Sequence, residues 1–165
     1  MDRSLASTDL AAFLVANRID GEILYLDVPT PTVESAAAAV GAGVDQIVKT
    51  ILFLVEEEPL AAIACGVKPV EQRAIASHLV MGRKRVKLAS PSQVLEVTGY
   101  AAGAVPPFGH LNPIRTLLDL RVLEQEVVYA GGGDENALVR LSSRAILQQT
   151  GAGVLDLISP PRGGG

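Results

Sequence analysis

Residues 47–55, with the sequence IVKTILFLV, constrain the fold of this chain more than any other segment. Both alternating sets of side chains are largely apolar, so a strand formed here must be covered on both faces. We therefore expect it to be a central strand. A turn at residues 56–59 leads into a second apolar run, residues 60–65, and predicts that the two strands pair as a hairpin.

Further strands and helices alternate along the chain, and four of the five predicted helices have a start signal. Ser90 opens a Ser-x-x-Gln capping box with Pro91 at the first helical position, and Gly99 ends that helix. The predicted strands are residues 23–28, 47–55, 60–65, 83–88, one or two strands within 121–129, and 137–141; the predicted helices begin at Ser7 or Thr8 (ending at Gly21), Thr32, Glu71, Ser90, and Ser142 or Ser143. Because tight turns join several strand pairs, a mixed sheet in an α+β domain is favoured over a purely parallel sheet.

The length of 165 residues suits one compact domain, which we expect to comprise residues 1–158, with residues 159–165 as a disordered tail. Hydrophobic residues make up 48% of the chain and aromatic residues only 4%, so the core must be aliphatic. Glycines and prolines interrupt the longest uncharged stretch, residues 97–114, which argues against a membrane helix. The N-terminus has no apolar signal-peptide core, and the lone Cys65 fits a reducing compartment. We expect a soluble, cytoplasmic protein with no membrane partner.

The charge pattern excludes a general nucleic-acid coat protein and argues against DNA as a partner. The net charge is -4, and the isoelectric point is about 5.2. Four cations nevertheless fall within five positions: Arg83, Lys84, Arg85 and Lys87. Such a local basic patch can meet phosphate at modest salt, although a strand with solvated outward charges explains the pattern equally well.

Lys49 is the most informative single residue. The side chains on its face of the strand are those of Ile47, Ile51 and Phe53. Because burying an unpartnered ammonium is costly, such a lysine is paired, extends its amine to solvent, or has a function. All three alternatives are open from the residues alone.

A loop rich in glycine and proline, residues 103–113, could recognise a small ligand through its main-chain groups, or it could be a rigid connection. His110 in this loop could act as a general acid or base, or it could be a surface histidine. One cysteine and two histidines form no metal-ligand cluster, so we expect no metal and no cofactor. The turn at residues 131–133 could hold phosphate, but Asp134 follows it and opposes an anion, so a plain turn is favoured.

Five segments, in this order and spacing, carry a resemblance to one family: TPTVESAA, IVKTILF, LASPSQV, TGYAAGAVPPFGH and VYAGGG. Over about residues 5–150 the chain resembles the YbaK proteins and the editing domain inserted in many bacterial prolyl-tRNA synthetases. The resemblance implies a compact α+β fold, with helices around a central, partly barrel-like mixed sheet.

The resemblance also implies an activity, the hydrolysis of the ester that joins a wrong amino acid to tRNA. The substrate would be tRNA for proline carrying alanine, serine or cysteine. The partners would be the acceptor end of that tRNA and, as a further candidate, prolyl-tRNA synthetase. The family's strand lysine falls on Lys49, which becomes the candidate catalytic residue. The candidate substrate-binding residues are Thr32, Gly103, Ala104, Val105, Pro107, Gly109, His110 and Gly131; the candidate tRNA contacts are Arg83, Lys84, Arg85 and Lys87.

Two departures bear on specificity. The cysteine-specific members have a polar His/Tyr stretch where this chain has Leu24-Tyr25-Leu26, and a serine where it has Ala130. A non-catalytic module that binds tRNA or a synthetase is the alternative hypothesis. A third and weaker one is an unrelated small-molecule hydrolase that uses His110.

Overall fold

Two β-sheets and five helices make up residues 4–159, which are the residues that the computed structural model describes. The helices are α1 Ser7–Ala16, α2 Val33–Val40, α3 Gln72–His78, α4 Pro91–Thr98 and α5 Ser143–Thr150. The strands are β1 Gly21–Tyr25, β2 Val48–Val55, β3 Glu58–Cys65, β4 Val86–Leu88, β5 Arg115–Asp119, β6 Val127–Gly131, β7 Ala137–Ser142 and β8 Gly153–Leu155. Short 3-10 turns comprise Val44–Gln46, Arg83–Arg85 and Leu120–Glu124.

The larger sheet has the strand order β4-β2-β3-β5-β8 and is mixed. β2 pairs antiparallel with β3 and β4, whereas β3–β5 and β5–β8 are parallel. The smaller sheet, β1-β7-β6, is antiparallel. A single parallel bridge between Ile47 and Tyr129 connects the two sheets, which do not close into a barrel. The predicted α+β class with a mixed sheet is confirmed.

The β2–β3 hairpin matches the prediction from its two apolar runs. Its register extends from Val48 opposite Cys65 to Val55 opposite Glu58. Leu52 and Phe53, on opposite faces of β2, are 4% and 3% exposed and belong to different core clusters. The strand is therefore covered on both sides, as its sequence requires.

The helix starts follow the capping signals in three of four cases. The side chains of Thr32, Ser90 and Ser142 accept hydrogen bonds from the first turns of α2, α4 and α5. The prediction for α1 is wrong: its N-cap is Ala6, and Gly21 begins β1 instead of ending the helix. Ser7 does not cap because its hydroxyl bonds Asp134 at 2.5 Å and the Tyr25 hydroxyl at 2.7 Å. Among the helices of residues 4–159, none has the length and apolarity to cross a membrane.

Several strand predictions need correction. The basic residues predicted as part of a strand form the 3-10 turn Arg83–Arg85, and only β4 is extended. The start of the region predicted as strand at residues 121–129 is also a 3-10 turn, because the Asp119 carboxylate accepts the Arg121 N–H at 2.9 Å and caps it. Sequence patterns missed β5 and the three-residue β8, because their pairing decides that they are strands: β5 pairs with β3, and β8 pairs with β5. The predicted tail lies outside the described residues, apart from Ser159.

A left-handed residue follows the last turn of each of the five helices, and in α1 it is Arg18 with φ of 55°. In α2, α4 and α5 these residues are glycines: Gly41, Gly99 and Gly151. In α3, the Met81 N–H donates to the Ala76 carbonyl and the Val80 N–H to the Ser77 carbonyl, which places Val80 at the left-handed position with φ of 55°. A β-branched residue is strained in this conformation, and Val80 is 90% exposed, so burial does not offset the strain.

Replacing Val80 with glycine should stabilise the protein. The left-handed strain is worth about 1–2 kcal/mol and the added backbone entropy of glycine opposes part of it, so we expect a net gain of about 1 kcal/mol. Urea denaturation of the two proteins measures the difference. Gly41→Val is the matched control, because nothing lies within 4 Å of the position of its Cβ; it should lower stability by a similar amount. An unchanged or lower stability of Val80→Gly would contradict the assigned strain.

Candidate functional site

Lys49 is the second residue of β2 and its side chain is only partly exposed. Its Nζ donates a hydrogen bond to the Lys68 carbonyl at 3.0 Å. Burial lowers the pKa of Lys49 below its ordinary value, with a smaller opposing effect from Cys65. Lys49 is therefore neither fully solvated nor paired with a carboxylate in the described residues. An ammonium has three N–H donors, so two of them can still reach a ligand.

A cleft of about 570 Å³ opens beside Lys49. Its floor is apolar and consists of Ile51 and Phe53 from β2 and Leu88 from β4. The segment that precedes α3, together with the first residues of that helix, lines it as well.

The charges that line this cleft are mostly positive. They are those of Lys49, Arg73 and Arg83, against the single carboxylate of Glu71. A cavity with an apolar floor and a cationic lining suits a ligand that combines an uncharged part with an anionic one.

The glycine-proline loop packs against the turn at residues 131–133. The Ala104 carbonyl accepts the Gly133 N–H at 2.9 Å. A Cβ on Gly131 would lie 2.3 Å from the Val105 oxygen, which explains why this position is glycine. Ala104 and Val105 are buried, whereas Gly103 is exposed with φ of 90°. The structure thus brings together four of the predicted substrate-binding positions.

His110 fixes the shape of the same loop. Its Nε2 lies 2.7 Å from the Pro106 carbonyl, and because a carbonyl can only accept, Nε2 carries the proton. Burial lowers the pKa of His110, and the hydrogen bond to Pro106 opposes this effect in part. Phe108 stacks on Phe13 of α1 with 5.5 Å between ring centroids. These contacts hold the buried part of the loop, including Pro107, in one conformation.

The cleft beside Lys49 and the glycine-proline loop are not one continuous lining. Within residues 4–159, no residue between Gly103 and His110 lines that cleft. Val105 packs with Leu52, whose side chain lies on the other face of β2 from that of Lys49. The strands that carry the two parts nevertheless meet at the bridge between Ile47 and Tyr129, two residues before Lys49 and Gly131, respectively.

Thr32 lies outside the cleft that Lys49 lines. It is exposed, and its hydroxyl accepts the Ser35 N–H at 3.0 Å as the cap of α2. The helix that it caps packs beside the bridge, since Ala36 and Ala37 share a core cluster with Ile47.

The four cations of the basic patch are all exposed, but their surroundings differ. Arg83 lines the cleft of Lys49. Arg85 forms an ion pair with Glu56 of the hairpin turn. Lys87 lies on β4, opposite Leu54 of β2. Arg83, Lys84 and Lys87 therefore remain available to an anionic ligand more readily than Arg85.

Sequence patterns missed the residues that complete the cleft, Arg73 and Glu71, and the carbonyl of Lys68. The pairing of β2 with β3 could have indicated these residues. Because Cys65 pairs with Val48, the residues that follow β3 must lie beside the start of β2 and therefore beside Lys49.

Residues 27–148 match the family described as the aminoacyl-tRNA editing domain. The chain belongs to that family. The predicted resemblance is thereby confirmed, and so is the likeness to prolyl-tRNA synthetases. A proline--tRNA ligase of Desulforamulus reducens is 30% identical over 138 residues, which are 80% of this chain and 24% of the ligase. The editing domain thus spans about a quarter of that curated relative.

Two relatives have nearly the size of this editing domain. An uncharacterised protein of Bacillus subtilis, YwhH, is 26% identical over 77% of this chain and 80% of its own length. A solved structure whose description proposes a trans-editing enzyme for prolyl tRNA synthetase is 31% identical, with a TM-score of 0.84. The alignment covers 93% of this chain and 96% of that one. In residues 4–159 of the editing domain, no three His, Cys, Asp or Glu side chains are grouped to hold a metal.

The lowered pKa of His110 predicts that this editing domain loses stability in mild acid. The unfolded chain takes up the proton near pH 6.5, before the folded one, so stability is complete above that pH and falls below it until the lowered pKa is reached. One group contributes at most about 1.4 kcal/mol per pH unit. Urea denaturation between pH 7.5 and 5 measures the slope. His110→Gln keeps a donor for Pro106 without a titrating group, and it should flatten the profile; an unchanged slope would contradict the assignment.

Proposed function

We propose that this editing domain is an aminoacyl-tRNA deacylase, a hydrolase that cleaves the ester of a mischarged tRNA. The proposed substrate is tRNA for proline that carries alanine, serine or cysteine. The observation that carries the proposal is the half-buried Lys49 ammonium in a cleft with an apolar floor and cationic lining. Its support from relatives is the family match and the proposed trans-editing enzyme of similar length. We propose that the domain likewise acts in trans, in the cytoplasm, with prolyl-tRNA synthetase as a candidate partner.

The proposed reaction needs few catalytic groups from the protein. An aminoacyl ester is already activated, so the enzyme needs no covalent nucleophile. It must hold the ester, admit a water or use the terminal ribose hydroxyl, and stabilise the negative charge that develops on the oxygen. An ammonium is most effective at this in a site with little water, where its interactions with charge are stronger.

Lys49 is the proposed catalytic residue. The Lys68 carbonyl holds one of its N–H groups and so orients the amine. The remaining donors would contact the carbonyl or phosphate oxygens of the terminal aminoacyl nucleotide. Arg73 and Arg83, which also line the cleft, would neutralise nearby phosphate.

The aminoacyl group would rest on the apolar floor of Ile51, Phe53 and Leu88, which restricts the size of the side chain. Excluding a larger side chain by sterics is easier than rejecting a smaller one, because each missing methylene is worth only about 1–3 kcal/mol. This favours small amino acids as substrates.

The glycine-proline loop is the second part of the proposed site. Gly103 exposes its main chain at the surface, and Ala104, Val105 and Gly131 support it from below. We propose that the exposed main chain of Gly103 contacts the tRNA end outside the cleft, with Thr32 on the helix beside the bridge. Pro107, Gly109 and His110 would act indirectly, by keeping the loop in shape. The acceptor stem would be contacted by Arg83, Lys84 and Lys87. Arg85 would contribute less, because it is paired with Glu56.

Removing the amine should abolish catalysis without unfolding the protein. We expect Lys49→Ala to lower kcat by about 10²- to 10³-fold, as loss of one group that stabilises an oxyanion does. Because burial already disfavours the charge, circular dichroism and urea denaturation should show an intact fold. The control is Arg144→Ala, which removes an exposed cation from α5 and should retain activity. Full deacylation by Lys49→Ala would refute the catalytic role.

A panel of charged tRNAs separates the enzyme from the alternative, a non-catalytic module. Alanyl-, seryl- and cysteinyl-tRNA for proline should be hydrolysed at least about tenfold faster than prolyl-tRNA, by the steric argument. Release of the labelled amino acid is the measurement. If none of them is hydrolysed while uncharged tRNA still binds, the domain is a binding module.

A further inference from the structure

We propose that Val80 is an RNA-contacting residue, which packs against the unpaired 3′ nucleotides of the tRNA next to the cleft. The inference deepens the proposed function and rests on it. It starts from two properties of Val80: its apolar side chain is exposed, and its backbone is strained.

Val80 is the β-branched residue among the left-handed residues that end the five helices; the one at the end of α1, Arg18 with φ of 55°, is not branched at Cβ. The left-handed ends of α2, α4 and α5 are glycines, which avoid the strain. Val80 adopts the same conformation with a β-branched side chain that is 90% exposed. A residue of this kind gains nothing from packing within the described residues. Backbone strain of this type clusters at active sites and ligand contacts.

The corner that carries Val80 is rigid. Leu79 and Met81, on either side of it, pack against the buried cluster that contains Ile75 and Ala76. The Met81 N–H closes the helix end on the Ala76 carbonyl at 3.0 Å. The side chain of Val80 is therefore presented from a fixed backbone, so that a contact with it needs little further ordering.

The position of Val80 is next to the cleft. It lies three positions before Arg83, which lines the cleft, and three steps along the chain span at most about 11 Å. The nucleotides immediately before the terminal one would lie within that range of a terminal nucleotide bound beside Lys49.

The charges around Val80 point to a nucleic acid. Arg83 and Lys84, three and four positions after it, are exposed, whereas the ion pair with Glu56 occupies Arg85. A surface that combines two cations with an apolar side chain suits a single strand, which presents both phosphates and the apolar faces of base and sugar. An acidic protein partner would meet the cations but would not need the apolar contact.

The first experiment measures binding of an uncharged acceptor-stem hairpin with an unpaired 3′ end by fluorescence anisotropy, over a series of salt concentrations. Val80→Gly should weaken binding at least about fivefold, from loss of one buried apolar side chain. Because no cation is removed, the slope of log K against log salt should stay unchanged. Lys84→Ala should instead reduce that slope by about 0.7–0.9, as loss of one phosphate contact does. Val80→Leu keeps an apolar group and should bind within about twofold of the native protein.

Wild-type affinity of Val80→Gly for the hairpin would overturn the inference. Misfolding cannot produce the expected weakening, because the glycine variant is expected to be the more stable protein; a variant that proves less stable and binds less would also count against the inference. Weaker binding of Val80→Gly to prolyl-tRNA synthetase, with RNA binding intact, would assign the residue to a protein interface and likewise refute it.

Kinetics separate failure of this inference from failure of the proposed function. For mischarged tRNA, Val80→Gly should raise KM at least about fivefold with kcat nearly constant, because the contact lies away from the ester. For aminoacyl-adenosine, which lacks the preceding nucleotides, the variant and the native protein should be equal. If the native protein hydrolyses neither substrate, the proposed function fails, and the hairpin binding still decides the role of Val80.

Discussion

The half-buried ammonium of Lys49 is the constraint to which the cleft is adapted. An amine on an otherwise apolar strand has to be given a partner, and within the described residues that partner is the Lys68 carbonyl. The hairpin register makes this contact possible, because it brings the end of β3 next to the start of β2. The chain then enters α3, which starts with Glu71 as its N-cap. The hydrogen bond from Lys49 to the Lys68 carbonyl thus holds the segment before α3, which lines the cleft, next to the amine.

A second set of contacts fixes the start of α3, which lines the cleft. The Glu71 N–H donates to the Leu157 carbonyl at 2.8 Å, and the Leu157 N–H donates to the Asp119 carboxylate at 2.7 Å. Asp119 is fully buried, and Arg121 neutralises it while also binding Asp156. The guanidinium of Arg121 holds the pKa of Asp156 far below its usual range. Because a buried carboxylate is stable only when it is paired, this network fixes the C-terminal segment and, through it, the start of α3.

Local signals predicted the elements whose stabilisation is itself local. The β2–β3 hairpin follows from two apolar runs and a turn, and Thr32, Ser90 and Ser142 cap helices as their positions indicate. Failures occur where a distant partner decides. Ser7 bonds Asp134, 127 residues away, and so does not cap α1. β5 becomes a strand because it pairs with β3, and the arrangement of Lys49 relative to Gly103 depends on how β2 and β6 meet. The motifs identified candidate residues, but only tertiary contacts divide them between the cleft and the loop.

The separation of the candidate residues between the cleft and the loop affects how an acidic protein could bind RNA, as is proposed here. With a net charge of -4, the molecule as a whole repels phosphate, so attraction depends on local groups of cations such as Lys49, Arg73, Arg83 and Lys84. The acidic hairpin turn further reduces the attraction for phosphate, because Glu56 forms an ion pair with Arg85. Few phosphate contacts imply a shallow salt dependence and weak non-specific binding. A hydrolase with the proposed function would benefit from both properties, because correctly charged tRNAs outnumber mischarged ones and must be released quickly. In the proposed site, selectivity for the amino acid would then come from the uncharged floor of the cleft, which is the part next to the ester.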